Sequence, residues 1–310
     1  MMDRRQFALG LGAVLLSSCG RSTRHVSVGT KNFTEQLILG ELLAQVLEKR
    51  THVPVERRFY LAGTYICQQA ILAGRIDVYV EYTGTALTAI LKQPAQSNSR
   101  EVFDMVRSEY RRRFNLIVLP SLGFDNTFAI VMRGDDAKTH GVTKLSQLAT
   151  IAPKLRIGVG YEFLERPDGF AGLAKTYNLH FAAAPSVMDL GLLYRALMSK
   201  QVDVVVGSNT DGLIAALDLT VLEDDRHYFP PYDAVPVVRP QALNEISGMQ
   251  SALGQLAGHI TTEEMRRLNY EVDGKKKDVT DVVREFINEP QLQNLPSIRP
   301  PEGMFTKPPR

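Results

Sequence analysis

Between residues 26 and 80 three short apolar runs alternate with two helical stretches, and that order confines the chain to a parallel α/β sheet. "VSVGT" (26–30) reads as a buried strand. "KNFTEQLILGELLAQVLEKR" follows, with Asn32 and Glu35 at the spacing of a capping box and Leu39, Leu43, Val46 and Leu47 on one helical face. "VPVERRFY" (53–60) is a second strand, "GTYICQQAILAG" (63–74) a helix closed by glycine, and "IDVYV" (76–80) a third strand.

The pattern recurs later in the chain. "RIGVGYEF" (156–163) matches "VSVGTKNF" in shape, "FAGLAKTYN" is a helix, "HFAAAP" a short strand and "DLGLLYRALMSK" a second helix. "QVDVVVGSNTDG" (201–212) then echoes "RIDVYVEYTGTA", and aligning Asp77 with Asp203 puts Tyr82 opposite Ser208. Five elements in the same order predict two similar lobes. The segments 115–132 and 220–238 each hold two apolar runs broken by proline or glycine, and predict two crossings between the lobes. Lobe 1 is expected to hold residues 26–125 and 232–310, and lobe 2 residues 126–231. Such a molecule hinges around a ligand.

That layout accounts for the end of the third strand, where an apolar run stops on Glu81, Tyr82 and a Thr-Gly-Thr turn. Ligands of open parallel sheets bind beyond the carboxyl ends of the strands, where helix N-termini also favour anions. The polar groups of "EYTGT" are therefore expected to line a cleft.

The first twenty residues read as an export signal: Arg4 and Arg5, an apolar run from Phe7 to Leu16, then small residues leading to Cys19. The run is shorter than the roughly 20 apolar residues a membrane-spanning helix needs. "LSSC" resembles a lipobox, which implies residues 1–19 as signal, a diacylated Cys19, and a tether over residues 20–25; a plain signal peptide is the alternative. "RRQF" also resembles a twin-arginine signal, so the export route stays open. With Cys19 lipidated, Cys67 is the one remaining thiol and no internal disulfide can form. A formal charge of +2 on 310 residues gives no electrostatic case for nucleic acid.

Several stretches together, "VGTKNFTEQLILGELLAQ", "DVYVEYTGTAL", "YEFLERPDG", "SNTDG", "LEDD" with "PPYDA", and "MRRLNYEVDG", resemble the extracytoplasmic substrate-binding proteins of ABC importers for osmoprotectants. The resemblance covers residues 26–290 in order. It implies the two-lobed type II periplasmic-binding-protein fold, α/β with two crossover strands and a central cleft, and a glycine betaine, choline or related quaternary amine as ligand. It further implies an extracytoplasmic location in the periplasm or at the outer cell surface, ABC permease subunits as partners, a monomer, and no cofactor.

The same resemblance implies the site. A ligand carboxylate would meet Lys31, Thr85 and Arg166, an ammonium, a hydroxyl and a guanidinium converging from both lobes. A quaternary ammonium donates no conventional N–H bond, so aromatic faces would hold it. The matching positions are Tyr82, Phe128, Ser208 and Tyr232. Phe128 keeps a ring without the hydroxyl, Ser208 removes one wall, and Asn126 stands where some members carry an acid. A weakly held betaine or a bulkier zwitterion is the implied consequence, with Tyr161 beside Arg166 as a candidate replacement ring.

An exported enzyme is the rival reading. The chain has no G-x-S-x-G elbow, no H-E-x-x-H and no phosphate-binding G-x-x-x-x-G-K-[ST]. Its six histidines, His25, His52, His140, His180, His227 and His259, lack metal-ligand spacing. Glu81 and Asp125 would form a carboxylate pair only by an accident of folding. The sequence therefore predicts a binding protein without catalytic residues or metal, with a ligand-sensing lipoprotein of the same fold as the alternative to an importer subunit.

Overall fold

The computed structural model describes residues 25–290, whose ten strands form two five-stranded sheets. The first sheet runs β2-β1-β3-β10-β4, with β1 Val26–Gly29, β2 Val55–Arg58, β3 Val78–Tyr82, β4 Ile117–Val118 and β10 Ala234–Val238. The second runs β7-β6-β8-β5-β9, with β5 Phe128–Arg133, β6 Ile157–Val159, β7 Ser186–Val187, β8 Val204–Ser208 and β9 Leu219–Leu222. In each sheet three successive strands pair in parallel, β1 with β2 and β3, and β6 with β7 and β8, and one strand from the far side of a crossover inserts antiparallel: β10 beside β3, and β5 beside β8. The two-lobed α/β class read from the sequence is the one observed.

The helix Thr34–Thr51 shows why the first sheet is stable. Ile38, Leu39, Leu42, Leu43, Val46 and Leu47 are all buried, and so are Gly40 and Ala44 on other faces. The sheet covers one side; the C-terminal helices Met249–Gly254, Thr262–Asp273 and Val279–Ile287 cover another. A helix apolar on one stripe sits at a surface, whereas this one is an interior element between sheet and helices.

The sequence repeat has a physical counterpart. Asp77 accepts the backbone N–H of Ser27 at 2.9 Å and Arg239 Nη1 at 2.9 Å. Asp203, its aligned partner, accepts the backbone N–H of Arg156 at 3.0 Å and Arg133 Nη2 at 3.1 Å. Each aspartate thus ties the end of an antiparallel inserted strand to the start of the first parallel strand. Arg133 also donates to the carbonyls of Leu197 and Val202.

The crossovers run side by side. Asp125 and Asp233 form an antiparallel bridge, Asn126 N–H donates to the Tyr232 carbonyl at 3.1 Å, and Ala234 N–H to that of Phe124 at 3.1 Å.

Four local expectations differ. Glu35 makes no capping box: the helix begins at Thr34 after Phe33, without a side-chain cap, because the Glu35 carboxylate is bonded elsewhere. "HFAAAP" carries no strand; β7 falls just after it at Ser186–Val187. The third strand runs on through Glu81 and Tyr82, which pair with Val235 and Ala234. Glu81 and Asp125 do not pair with each other: Glu81 bonds Lys31, and Asp125 accepts the Tyr232 N–H. The export signal, Cys19 and the tether lie outside the described residues.

Replacing Asp203 by alanine removes the tie in the second sheet and leaves a mostly buried Arg133 with Asp136 as its remaining carboxylate. We expect a loss of about 1–3 kcal/mol, read as a lower urea midpoint at unchanged slope. An unchanged midpoint would show that the aspartate ties nothing.

Candidate ligand-binding cleft

The acid that ends β3 has a partner 50 residues earlier. Lys31 follows β1, and its Nζ lies 2.5 Å from Glu81 Oε1, with side chains 4% and 0% exposed. Tyr82 N–H donates to the same oxygen at 2.8 Å. Parallel pairing of β1 with β3 brings both strand ends to one edge, so two residues far apart in sequence meet. The Lys31 ammonium also stands 5.0 Å from the Tyr82 ring centre.

Tyr82 is held from below. Its hydroxyl donates to Glu35 Oε1 at 2.6 Å and accepts from Gln36 Nε2 at 3.0 Å, and its ring stacks on Phe33 at 6.4 Å. Glu35 gathers further donors: Asn126 Nδ2 at 2.5 Å, Asn269 Nδ2 at 3.2 Å and the Thr210 hydroxyl. Burial pushes the Glu35 carboxyl above its ordinary range, and these hydrogen bonds oppose the push. Ser208 joins this cluster through Thr210, its Oγ 2.9 Å from the threonine oxygen, and lies across the strand ladder from Phe128.

A second cluster forms around Arg166, which ends the short helix Tyr161–Glu165 in extended conformation. Its Nε and Nη2 grip Asp168 at 2.9 and 2.5 Å, and its Nη1 donates to Thr85 Oγ1 at 3.0 Å. The Tyr232 hydroxyl donates to Asp168 Oδ2 at 2.5 Å. The guanidinium lies 5.1 Å from the Phe128 ring centre and 5.8 Å from that of Tyr232, while the two rings meet edge to face at 5.5 Å. Burial alone would raise Asp168, but the Arg166 charge and hydrogen bonds outweigh it and hold the carboxyl below its ordinary value. Burial and the neighbouring Asp168 push the Tyr232 phenol well up, so it remains a donor.

Close backbone approach makes these contacts available. A Cβ on Gly84 would lie 2.7 Å from the Pro231 carbonyl and 2.8 Å from the Tyr232 ring. One on Gly63 would collide with the Glu162 carboxylate, so the segments 63–85 and 161–168 touch.

All eight positions singled out in the sequence thus fall in two clusters, seven through hydrogen bonds or ion pairs and Phe128 through ring contacts. Lys31, Tyr82, Asn126 and Ser208 surround Glu35 and Glu81; Thr85, Phe128, Arg166 and Tyr232 surround Asp168. Tyr161 does not replace the ring missing at Ser208: it is 65% exposed. Neither basic group is bare, since each already holds an internal carboxylate. Sequence reasoning missed Glu35, Asp168, Thr210 and Asn269. Asp168 had a signal, two residues from Arg166 before a glycine; Asn269 comes from a distant helix and had none.

A two-sheet molecule whose crossover strands border a cleft of paired charges and rings is a substrate-receptor architecture. The match to known proteins is specific. Residues 24–289 fit the family model described as the substrate-binding domain of ABC-type glycine betaine transport systems, and the chain belongs to that family. It is 34% identical over 283 residues to the carnitine transport binding protein OpuCC of Listeria monocytogenes, covering 89% of this chain and 92% of that protein. It is 36% identical over 261 residues to the ergothioneine transport permease/ergothioneine binding protein EgtU of Helicobacter pylori, covering 84% of this chain but 46% of that longer protein. A solved structure described as a glycine betaine/carnitine/choline ABC transporter superposes with a TM-score of 0.70 at 33% identity, covering 84% of this chain and 97% of that one. The protein is therefore an extracytoplasmic substrate-binding component of an ABC importer.

Asp168→Asn leaves a buried guanidinium without its counter-charge. The expected cost is about 3–5 kcal/mol, measured by chemical unfolding. Because the folded-state carboxyl lies below its ordinary 3.8, its stabilisation is present above that value and is lost as pH falls through the lower one. The wild-type excess in stability over Asp168→Asn should shrink on acidification below pH 3.8.

Proposed function

We propose that the cleft takes a small zwitterion carrying a quaternary ammonium and a carboxylate, and delivers it to its permease. Glycine betaine, carnitine and ergothioneine, which appear in the names of the relatives and of the solved structure, share those two groups. The observation that carries this reading is the Arg166–Thr85 contact, with Asp168 behind it and two rings beside it. Three of the guanidinium's five N–H groups are engaged by Asp168 and Thr85, which leaves two to receive a ligand carboxylate. Thr85 completes that end, while Lys31, expected there from the sequence, stands in the other cluster with Glu81 and the Tyr82 ring. Tyr82, Phe128 and Tyr232 face the cationic head, flanked by Asn126.

Ser208 favours a head larger than trimethylammonium on a one-carbon stem. A serine beside Phe128 removes the volume of a ring and leaves a hydroxyl already bonded to Thr210. The lobes divide at 126 and 232, and closure brings Arg166 onto Thr85 and Thr210 towards Glu35.

Cys19, once lipidated, would hold the receptor at the membrane as a monomer. No helix among the described residues is long and apolar enough to cross a membrane. Cys19→Ala should abolish palmitate labelling and release the protein into the soluble fraction; a variant still labelled and membrane-bound would refute the anchor.

Calorimetric titration of the mature domain against glycine betaine, carnitine, ergothioneine, choline and amino acids tests the ligand class. Arg166→Ala should weaken the ligand that binds by about 100-fold, the equivalent of about 3 kcal/mol. An affinity within twofold of wild type would remove Arg166 from the site.

A further inference from the structure

The two cations of the cleft each carry their own carboxylate, Glu81 for Lys31 and Asp168 for Arg166. Glu35 is the acid left over. No ion pair joins it to a lysine or arginine among the described residues, and every group that touches it is a neutral donor: the Tyr82 phenol, the Asn126 and Asn269 carboxamides, and the Thr210 hydroxyl. Four donors on two oxygens suit an ionised carboxylate and would be wasted on a neutral acid. The group is 3% exposed. A buried charge without an opposite charge is costly, so a fold that keeps one has a use for it.

Its position suggests the use. Glu35 sits behind Tyr82, bonded to the phenol at 2.6 Å, while the ring is one of those proposed to face the ligand's cation. Burial and the Glu35 charge push the Tyr82 phenol well above its ordinary value, so the proton stays on the ring oxygen and the hydrogen bond runs towards the carboxylate. A phenol that donates to a carboxylate gains electron density, which deepens the negative face that attracts a cation. The carboxylate's own field adds to the same effect in a site screened from water.

We propose that Glu35 is a positioning and specificity residue: acting through Tyr82, it supplies the counter-charge for the ligand's quaternary ammonium. The inference rests on the reading of the ligand class above and deepens it. Glu35 does not touch the ligand; it orients the phenol and sets the potential that the head group meets. The same carboxylate joins the first helix to Asn126 at the crossover, to Thr210 after β8 and to Asn269 on a C-terminal helix. The counter-charge is thus fixed where both halves of the molecule meet.

The test separates charge from shape. 3,3-Dimethylbutanoate is the carbon isostere of glycine betaine, with the same outline and carboxylate but no cation. Both are titrated against the wild-type mature domain, Glu35→Gln and Tyr82→Phe. Glu35→Gln keeps the volume and an acceptor for the phenol, and the Asn269 Oδ1, which has no partner, can turn to receive the new amide. The expected result is a preference for betaine over the isostere that shrinks about three- to tenfold in Glu35→Gln, with isostere affinity little changed. Tyr82→Phe retains the ring and cuts its link to Glu35, and should narrow the preference in the same direction; it stands as the test if Glu35→Gln does not fold. Equal loss of betaine and isostere, or an unaltered preference in both variants, overturns the inference while leaving the ligand class intact. A wild-type domain that binds no quaternary amine in the calorimetric panel overturns the ligand class and this inference with it.

Discussion

A guanidinium with 5% of its side-chain surface exposed keeps its charge at a high desolvation cost unless a carboxylate stands beside it, and the Arg166–Asp168 pair is the contact around which this cluster is built. It fixes the plane of the guanidinium, and that plane sets where Nη1 meets Thr85 and where the Phe128 and Tyr232 rings can lie. Asp168 also receives the Tyr232 hydroxyl, so one carboxylate orients both the guanidinium and a ring beside it. Lys31 and Glu81 repeat the device at the end of β3. Buried pairs of this kind contribute little net stability but fix geometry, which is what a receptor needs before its ligand arrives.

The architecture delivers those groups from both sides. In each sheet one aspartate anchors the inserted strand, Asp77 through Arg239 and Asp203 through Arg133. Each lobe is thus braced independently of the crossovers. The crossovers themselves hold to each other by backbone bonds around Asp125 and Asp233. Two halves joined by two adjacent strands have the build of hinge-closing receptors, and the Arg166–Thr85 bond is a contact between the second sheet's side and the first.

Much of this was legible in the sequence because it is periodic. The βαβαβ order, its recurrence and the Asp77–Asp203 alignment rest on local patterns of apolar residues, and strand-end chemistry follows from topology. The eight site positions came from long motifs whose order matched the family. What escaped was the partnership of polar groups. Glu35 stands where a capping box would put it, and only the packed structure shows its carboxylate drawn to Tyr82. Lys31 and Arg166 read as free cations because sequence spacing carries no record of Glu81 crossing from the third strand, or of a bidentate grip by a residue two positions on. Asn269 lies 234 residues from Glu35 and is brought to it by the C-terminal helices folding back onto the first lobe.

The internal pairing changes how affinity must arise. The proposed ligand carboxylate would not find a bare guanidinium; it would share one with Asp168, using N–H groups that Asp168 and Thr85 leave over. The electrostatic gain is therefore smaller than for an unpaired arginine, while the desolvation of the cation is already met by the fold. What remains for the ligand to supply is shape and its cationic head. On the proposed reading, the carboxylate end would be a fixed register mark common to zwitterions of the class, and discrimination among them would fall to the rings, Ser208 and the acid behind Tyr82. The internal pairs Arg166–Asp168 and Lys31–Glu81 fix the cations without any help from a ligand.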